Sequence, residues 1–221
     1  MTLTSHRPGA AVVVPVRAFA GGKSRLGGLL DHTQRADLLR AMAEQVVLAA
    51  HPLPVAVVSS APEVSAWAAS RGLIVLDDPG RLDEAARVGQ HWAARLQIAR
   101  VVIAHADLPL ARGLAALARD GSRPVIAAVP CHHDDGTPVL SLPTATPFVF
   151  AYGPGSFRRH AAEARRLGLG FRVVRDAALA HDVDAPEDLR GLIDLPSGMR
   201  RRPEPAGVPP AQDALRASAV T

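Results

Sequence analysis

Aromatic residues make up only 4% of this 221-residue chain, and Cys131 is its single cysteine. The first scarcity argues against a single-strand nucleic-acid binder, which needs rings on which successive bases stack. The second excludes an internal disulfide and fits a reducing compartment. Long apolar runs are missing too: nothing approaches the ~20 residues that cross a bilayer. Val12–Val14 is interrupted by Pro15 and Arg17, so the start lacks the apolar core of a signal peptide. Neither the G-x-x-x-x-G-K-[ST] loop nor the G-x-G-x-x-G fingerprint occurs. His132-His133 has no second pair at zinc spacing. Strong charge imbalance is also absent, with 25 basic against 21 acidic residues and a net charge of +4. Small basic clusters of this kind suit a phosphorylated small molecule as well as a nucleic acid. The expectation is a cytoplasmic protein with no nucleic-acid and no membrane partner. Its oligomeric state is left open, a homodimer included.

What is present is a 48% hydrophobic chain in which Ala, Val and Leu dominate. Short apolar runs read as strands buried on both faces: Ala11–Val16, Val55–Val58, Leu73–Leu76, Val101–Ala104 and Pro124–Val129. Leu140–Leu142 and Phe171–Val174 are shorter candidates. Between them lie helical stretches at Gln34–Ala50 with Thr33 as N-cap, Pro62–Arg71, Leu82–Leu96, Leu114–Arg119 and Ser156–Leu167 with Ser156 as N-cap. A last helix opens within His181–Leu189. Alternation with short connections predicts a single-domain α/β fold, a doubly wound and mostly parallel sheet of Rossmann-like type. The domain spans 11–195, between a loose leader over 1–10 and a Pro-, Arg- and Ala-rich tail over 196–221, expected to be disordered.

Four constellations carry chemistry. Asp107 follows the run Val101–Ala104, and Pro109 stops the strand, so a carboxylate stands at the sheet edge where α/β proteins bind ligands. Gly21-Gly22-Lys23-Ser24-Arg25 follows the first strand; its glycines permit close backbone approach and its cations can neutralise a polyphosphate. Otherwise it is a solvated loop. Asp182 and Asp184 offer a second carboxylate source, suited to sharing Mg²⁺ with Asp107, although Asp184 can equally cap the helix at Pro186. Asp134-Asp135-Gly136-Thr137 is a turn carrying a hydroxyl. Gly153-Pro154-Gly155-Ser156-Phe157-Arg158-Arg159-His160 opens a helix with cations at its amino end, the wrong end of the dipole unless an anion binds there. His105, Trp67 and Trp92 read as packed residues.

These blocks, with Val14-Pro15-Val16-Arg17, Asp77-Asp78-Pro79-Gly80, His105-Ala106-Asp107-Leu108-Pro109 and Asp182-Val183-Asp184-Ala185-Pro186, resemble the guanylyltransferases of coenzyme F-420 biosynthesis. That group lies among nucleotidyltransferases of the nucleotide-diphospho-sugar transferase type. The resemblance implies GTP as donor and Mg²⁺ as cofactor. The implied acceptor is a phosphorylated three-carbon acid such as phosphoenolpyruvate, 2-phospho-L-lactate or 3-phosphoglycerate. It also implies hand-over of the product to a downstream deazaflavin transferase. Carried onto this chain, it puts Lys23, Arg25 and Arg17 on the nucleotide, with Asp83 near the nucleoside. Asp107, Asp182 and Asp184 fall on the metal, and Thr137, Gly153 and Ser156 on the acceptor. Asp107, Lys23 and Arg25 are the expected catalytic set. Three positions depart from the family pattern: Asp83 follows Leu82 where Asn is usual, Pro138 follows Thr137 where Asn is usual, and Arg17 replaces Lys. The alternatives are another nucleotidyltransferase of this fold, of molybdenum-cofactor or sugar-phosphate type, or a catalytically weak nucleotide-binding protein.

Overall fold

A computed structural model describes residues 9–120 and 122–193, the side chains of 190–193 excepted. Seven strands form one sheet in the order β3-β2-β1-β4-β6-β5-β7. They are β1 (Ala10–Pro15), β2 (Val55–Val58), β3 (Ile74–Leu76), β4 (Arg100–Ala104), β5 (Val125–Val129), β6 (Val139–Pro143) and β7 (Gly170–Val173). Every pairing is parallel except those of β6, which runs antiparallel to both β4 and β5. The helices are α1 (His32–Ala49), α2 (Pro62–Ser70), α3 (Leu82–Arg95), α4 (Ser156–Arg166), α5 (Ala177–Ala180) and α6 (Pro186–Ile193). None is long and apolar enough among the described residues to cross a membrane.

Side chains alternate across the sheet and divide the core in two. Val12, Val14, Val102 and Ala104 face Ala43, Val46 and Trp67 of α1 and α2. Ala11, Val13, Val101 and Ile103 face Ala85, Ala86 and Trp92 of α3. Helix α3 lies so close to β1 that a Cβ at Gly89 would stand 2.3 Å from Val13 Cγ1. Arg100, at the start of β4, is fully buried. Its guanidinium donates to Ser141 Oγ of β6 and to the carbonyls of Arg123 and Val125 at 2.9–3.1 Å.

Several local expectations are corrected. The N-cap of α1 is Asp31, not Thr33. Its carboxylate accepts the Gln34 amide while the Gln34 side chain accepts the Asp31 amide, a reciprocal capping box. Helix α4 is entered through Gly155 in the left-handed region, so Ser156 is its first residue rather than its cap. Asp182 and Asp184, expected on an extended segment, instead follow the short helix α5, capped by Asp176. The tail over 196–221 and residues 1–8 of the leader lie outside the described residues.

Candidate active site

Beyond β1 the chain enters the loop that the glycine and cation pattern singled out. Phe19 anchors it, buried edge-on against Trp67 with ring centroids 5.4 Å apart. Gly22 then presses on α1, where a Cβ would come within 2.6 Å of Leu39 Cδ1. Lys23 follows in the left-handed region (φ 52°), unusual for a residue with a side chain. That conformation costs on the order of 1–2 kcal/mol and turns the ammonium inward.

The Lys23 ammonium donates to Asp107 Oδ2 at 2.5 Å and to Asp184 Oδ1 at 2.7 Å. Three loops, after β1, after β4 and before α6, therefore meet at one cation. Burial alone would lower Lys23, but the two carboxylates hold it above its ordinary value. Burial likewise pushes the Asp107 carboxyl up; Lys23 and His105 outweigh it and hold the group below the usual carboxylate value. Asp182 goes the other way. Burial, then the negative charges of Asp107 and Asp184, push its carboxyl up.

Lys23, Asp107 and Asp184 line a cleft of about 500 Å³ at the carboxyl ends of β1 and β4, together with Arg17, Arg25, Leu82 and His105. Among the described residues six buried side-chain polar atoms lack hydrogen bonds, and His105 Nε2, Asp107 Oδ1, Asp182 Oδ1 and Tyr152 Oη are four of them. Such orphans are rare in folded proteins and call for an explanation. Asp107 and Asp182 bring two of these atoms from the carboxylate group itself, and His132 Nδ1 lies 3.3 Å from Asp182 Oδ1. His105 stands two residues before Asp107 and touches the Tyr152 ring at 5.3 Å. Sequence reasoning set it aside as packing; the signal available was its place between a buried strand and the carboxylate.

Thr137, Gly153 and Ser156 also come together. Thr137 and Ser156 are buried with their hydroxyls 3.1 Å apart, and Gly153 (φ 97°) accepts the Ser156 amide on its carbonyl. His160, missed by sequence reasoning as a member of this set, sets their polarity. The Ala151 amide donates to His160 Nε2, so the ring proton sits on Nδ1, 3.1 Å from Thr137 Oγ1. Burial, then Arg159, lowers His160 to about 4, which keeps it neutral near pH 7. With Nδ1–H donating to Thr137, the Thr137 proton is directed to Ser156, and the Ser156 hydroxyl becomes the terminal donor. Contacts from His160 to Tyr152 (4.9 Å) and from Tyr152 to His105 connect this set to the carboxylates.

The geometry corrects two other expectations, the anion site at the start of α4 and the capping of α6 by Asp184. Arg159 does not wait for an anion at the start of α4: it donates to the carbonyls of Ala151, Tyr152 and Pro154 in its own approach loop. The Gly155 amide is taken by Asp135 Oδ1 (2.8 Å), so the chain supplies its own carboxylate there. Asp83 commits Oδ1 to the Tyr152 amide (2.6 Å), and its neighbour Leu82 reaches the cleft. Asp184 does not cap α6. Its own amide, with that of Ala185, donates to Asp188 Oδ2 at 2.7 Å, which leaves the Asp184 side chain to Lys23.

A family model described as "Guanylyl transferase CofC like" matches residues 10–201. A phosphoenolpyruvate guanylyltransferase of Sphaerobacter thermophilus is 38% identical over 191 residues, 81% of this chain and 90% of that protein. A 2-phospho-L-lactate guanylyltransferase of Methanothermobacter thermautotrophicus is 32% identical, covering 82% of each chain. A 3-phospho-D-glycerate guanylyltransferase of Phenylobacterium zucineum is 31% identical over 86% of this chain and 93% of that protein. Among solved structures, a Desulfovibrio desulfuricans protein classed as a nucleotide-diphospho-sugar transferase superposes with a TM-score of 0.74. It is 17% identical over 96% of both chains, a likeness of fold.

Proposed function

Because this chain belongs to the CofC-like guanylyltransferase family, we propose that it joins the GMP part of GTP to a phosphorylated three-carbon acid and releases pyrophosphate. The step belongs to coenzyme F-420 assembly, and its product is a guanosine diphospho-acid for a following transferase. The observation that carries this reading is the Lys23 ammonium held between Asp107 and Asp184 at the base of the cleft.

The donor set suits Mg²⁺, which takes oxygen ligands and keeps water and substrate phosphates among them. Asp107 Oδ1 is a buried carboxylate oxygen without a hydrogen bond, and Asp182 Oδ1 is buried with only His132 Nδ1 near it, at 3.3 Å. Asp107, Asp182 and Asp184 would hold the ion, which when bound supplies positive charge beside the phosphates. Lys23, Arg17 and Arg25 face the triphosphate from the cleft wall and neutralise the charge that develops on pyrophosphate. Thr137, Gly153 and Ser156 orient the acceptor. The bond that forms joins an acceptor phosphate oxygen to the α-phosphorus of GTP. The bond that breaks is that from the α-phosphorus to the bridging oxygen, whose electron pair leaves with pyrophosphate. The attacking oxygen is already anionic, so no side chain has to remove a proton. Positioning and charge neutralisation then account for the rate.

Pyrophosphate release tests the reading, measured with GTP, CTP or ATP, Mg²⁺ and each of phosphoenolpyruvate, 2-phospho-L-lactate and 3-phospho-D-glycerate. Release with GTP and one of the three acids is expected. Folded protein that releases none with any of them overturns it.

A further inference from the structure

The two adjacent histidines that lack a metal-spaced partner in sequence acquire one in the fold. We propose that His132, His133 and Asp188 form a second metal site, outside the nucleotide cleft, for one imidazole-preferring divalent ion such as Zn²⁺. One ligand atom from each of the three residues lies within 4.8 Å of the other two. His132 Nε2 is 3.1 Å from Asp188 Oδ1. Two ligands of a tetrahedral zinc, each bound at about 2.0–2.2 Å, stand about 3.3 Å apart, so this pair already has the required separation. His133 is exposed on the turn after β5, its ring 3.9 Å from that of His132, and rotation of its exposed side chain would close the remaining distance.

Independent features pre-orient the pair. Metal-bound histidines present their second ring nitrogen to a carboxylate or carbonyl, which fixes the ring. His132 Nδ1 lies 3.3 Å from the Ala180 carbonyl and 3.3 Å from Asp182 Oδ1. Asp188 is buried, and its other oxygen accepts the amides of Asp184 and Ala185, so Oδ1 is aimed at the imidazoles. His181 stacks on His132 at 5.2 Å and spends its Nε2 on the Asp188 carbonyl, bracing the site without entering it. Two imidazoles and one carboxylate favour Zn²⁺ over Mg²⁺, which prefers oxygen alone. An ion here ties the turn after β5 to the start of α6.

The test is Zn²⁺ titration of the chelator-stripped full chain against a chromophoric competitor, in millimolar Mg²⁺ to fill the oxygen site. One Zn²⁺ per chain is expected, weakened by roughly 10-fold or more in His133→Ala and retained in Asp107→Asn. His133 is exposed, and circular dichroism checks that its variant folds. The native chain binding no Zn²⁺ overturns the proposal. So does binding that survives His133→Ala but disappears in Asp107→Asn, which would put the ion in the nucleotide cleft.

Discussion

Replacing Lys23 by methionine removes one charge, keeps a side chain of similar reach, and leaves the left-handed backbone no more strained than before. Removing one partner of a buried ion pair costs about 3–5 kcal/mol. Lys23 and Asp107 retain 12% and 19% side-chain exposure, so water returns part of that loss. A cost of about 2–4 kcal/mol is expected. Asp184 is 58% exposed and adds less than about 1 kcal/mol. For a domain of this size that corresponds to a fall in Tm of roughly 5–15 °C. The assay is urea unfolding without divalent ions, on Lys23→Met, Asp107→Asn and the double variant. The double variant should recover much of the loss, because it buries no unpaired charge. The pH dependence should also change sign. In the native chain Asp107 is held below its ordinary value, so its contribution is complete at neutral pH and lost as pH falls through the folded value. In Lys23→Met burial prevails and pushes that carboxyl up, so stability should rise between pH 7 and 5. A variant as stable as the native chain, or one with an unchanged pH slope, refutes the buried-pair account.

Three further outcomes are expected. Asp182 is held above its ordinary value, so its charge opposes folding near neutral pH; Asp182→Asn should melt no lower than the native chain at pH 7 while losing turnover by about 100-fold or more. His160 is lowered to about 4, so the native chain should lose up to about 3 kcal/mol as pH falls from 6.5 through that value, and the stability–pH curve of His160→Gln should be flatter across the window. Gly89→Ala should cost about 1–3 kcal/mol in denaturant unfolding, because Val13 is a β-branched residue in β1, paired on both sides, and cannot yield to the new methyl.

Buried apolar runs made β1, β2, β4 and β5 readable in the sequence, and chain order alone pointed to the edge where Lys23 and Asp107 meet. Less was legible where one residue has two possible duties. Thr33 is an acceptable cap, but Asp31 with Gln34 makes two reciprocal bonds and wins. Ser156 looks like a cap until Thr137, 19 residues earlier in the chain, takes its hydroxyl into a buried network. Arg159 looks free for an anion because nothing in its own sequence shows the carbonyls that the preceding loop turns back toward it. His132 and Asp188, 56 residues apart, become neighbours only when α5 and α6 fold back over the turn after β5.

Strand β6 separates β4 from β5 and is made after both. During synthesis, the emerging chain therefore carries Val101-Val102-Ile103 on an open, apolar strand edge until residues 139–143 arrive to cover it. Exposed edges of that kind recruit other chains. Arg100 stands at the head of that edge, and its bond to Ser141 Oγ can form only once β6 is in place. A neutral residue at this position would leave that edge without a charge as well as without the bonds, and its mark would be a lower yield of folded protein from the ribosome, beyond what the finished fold loses in stability.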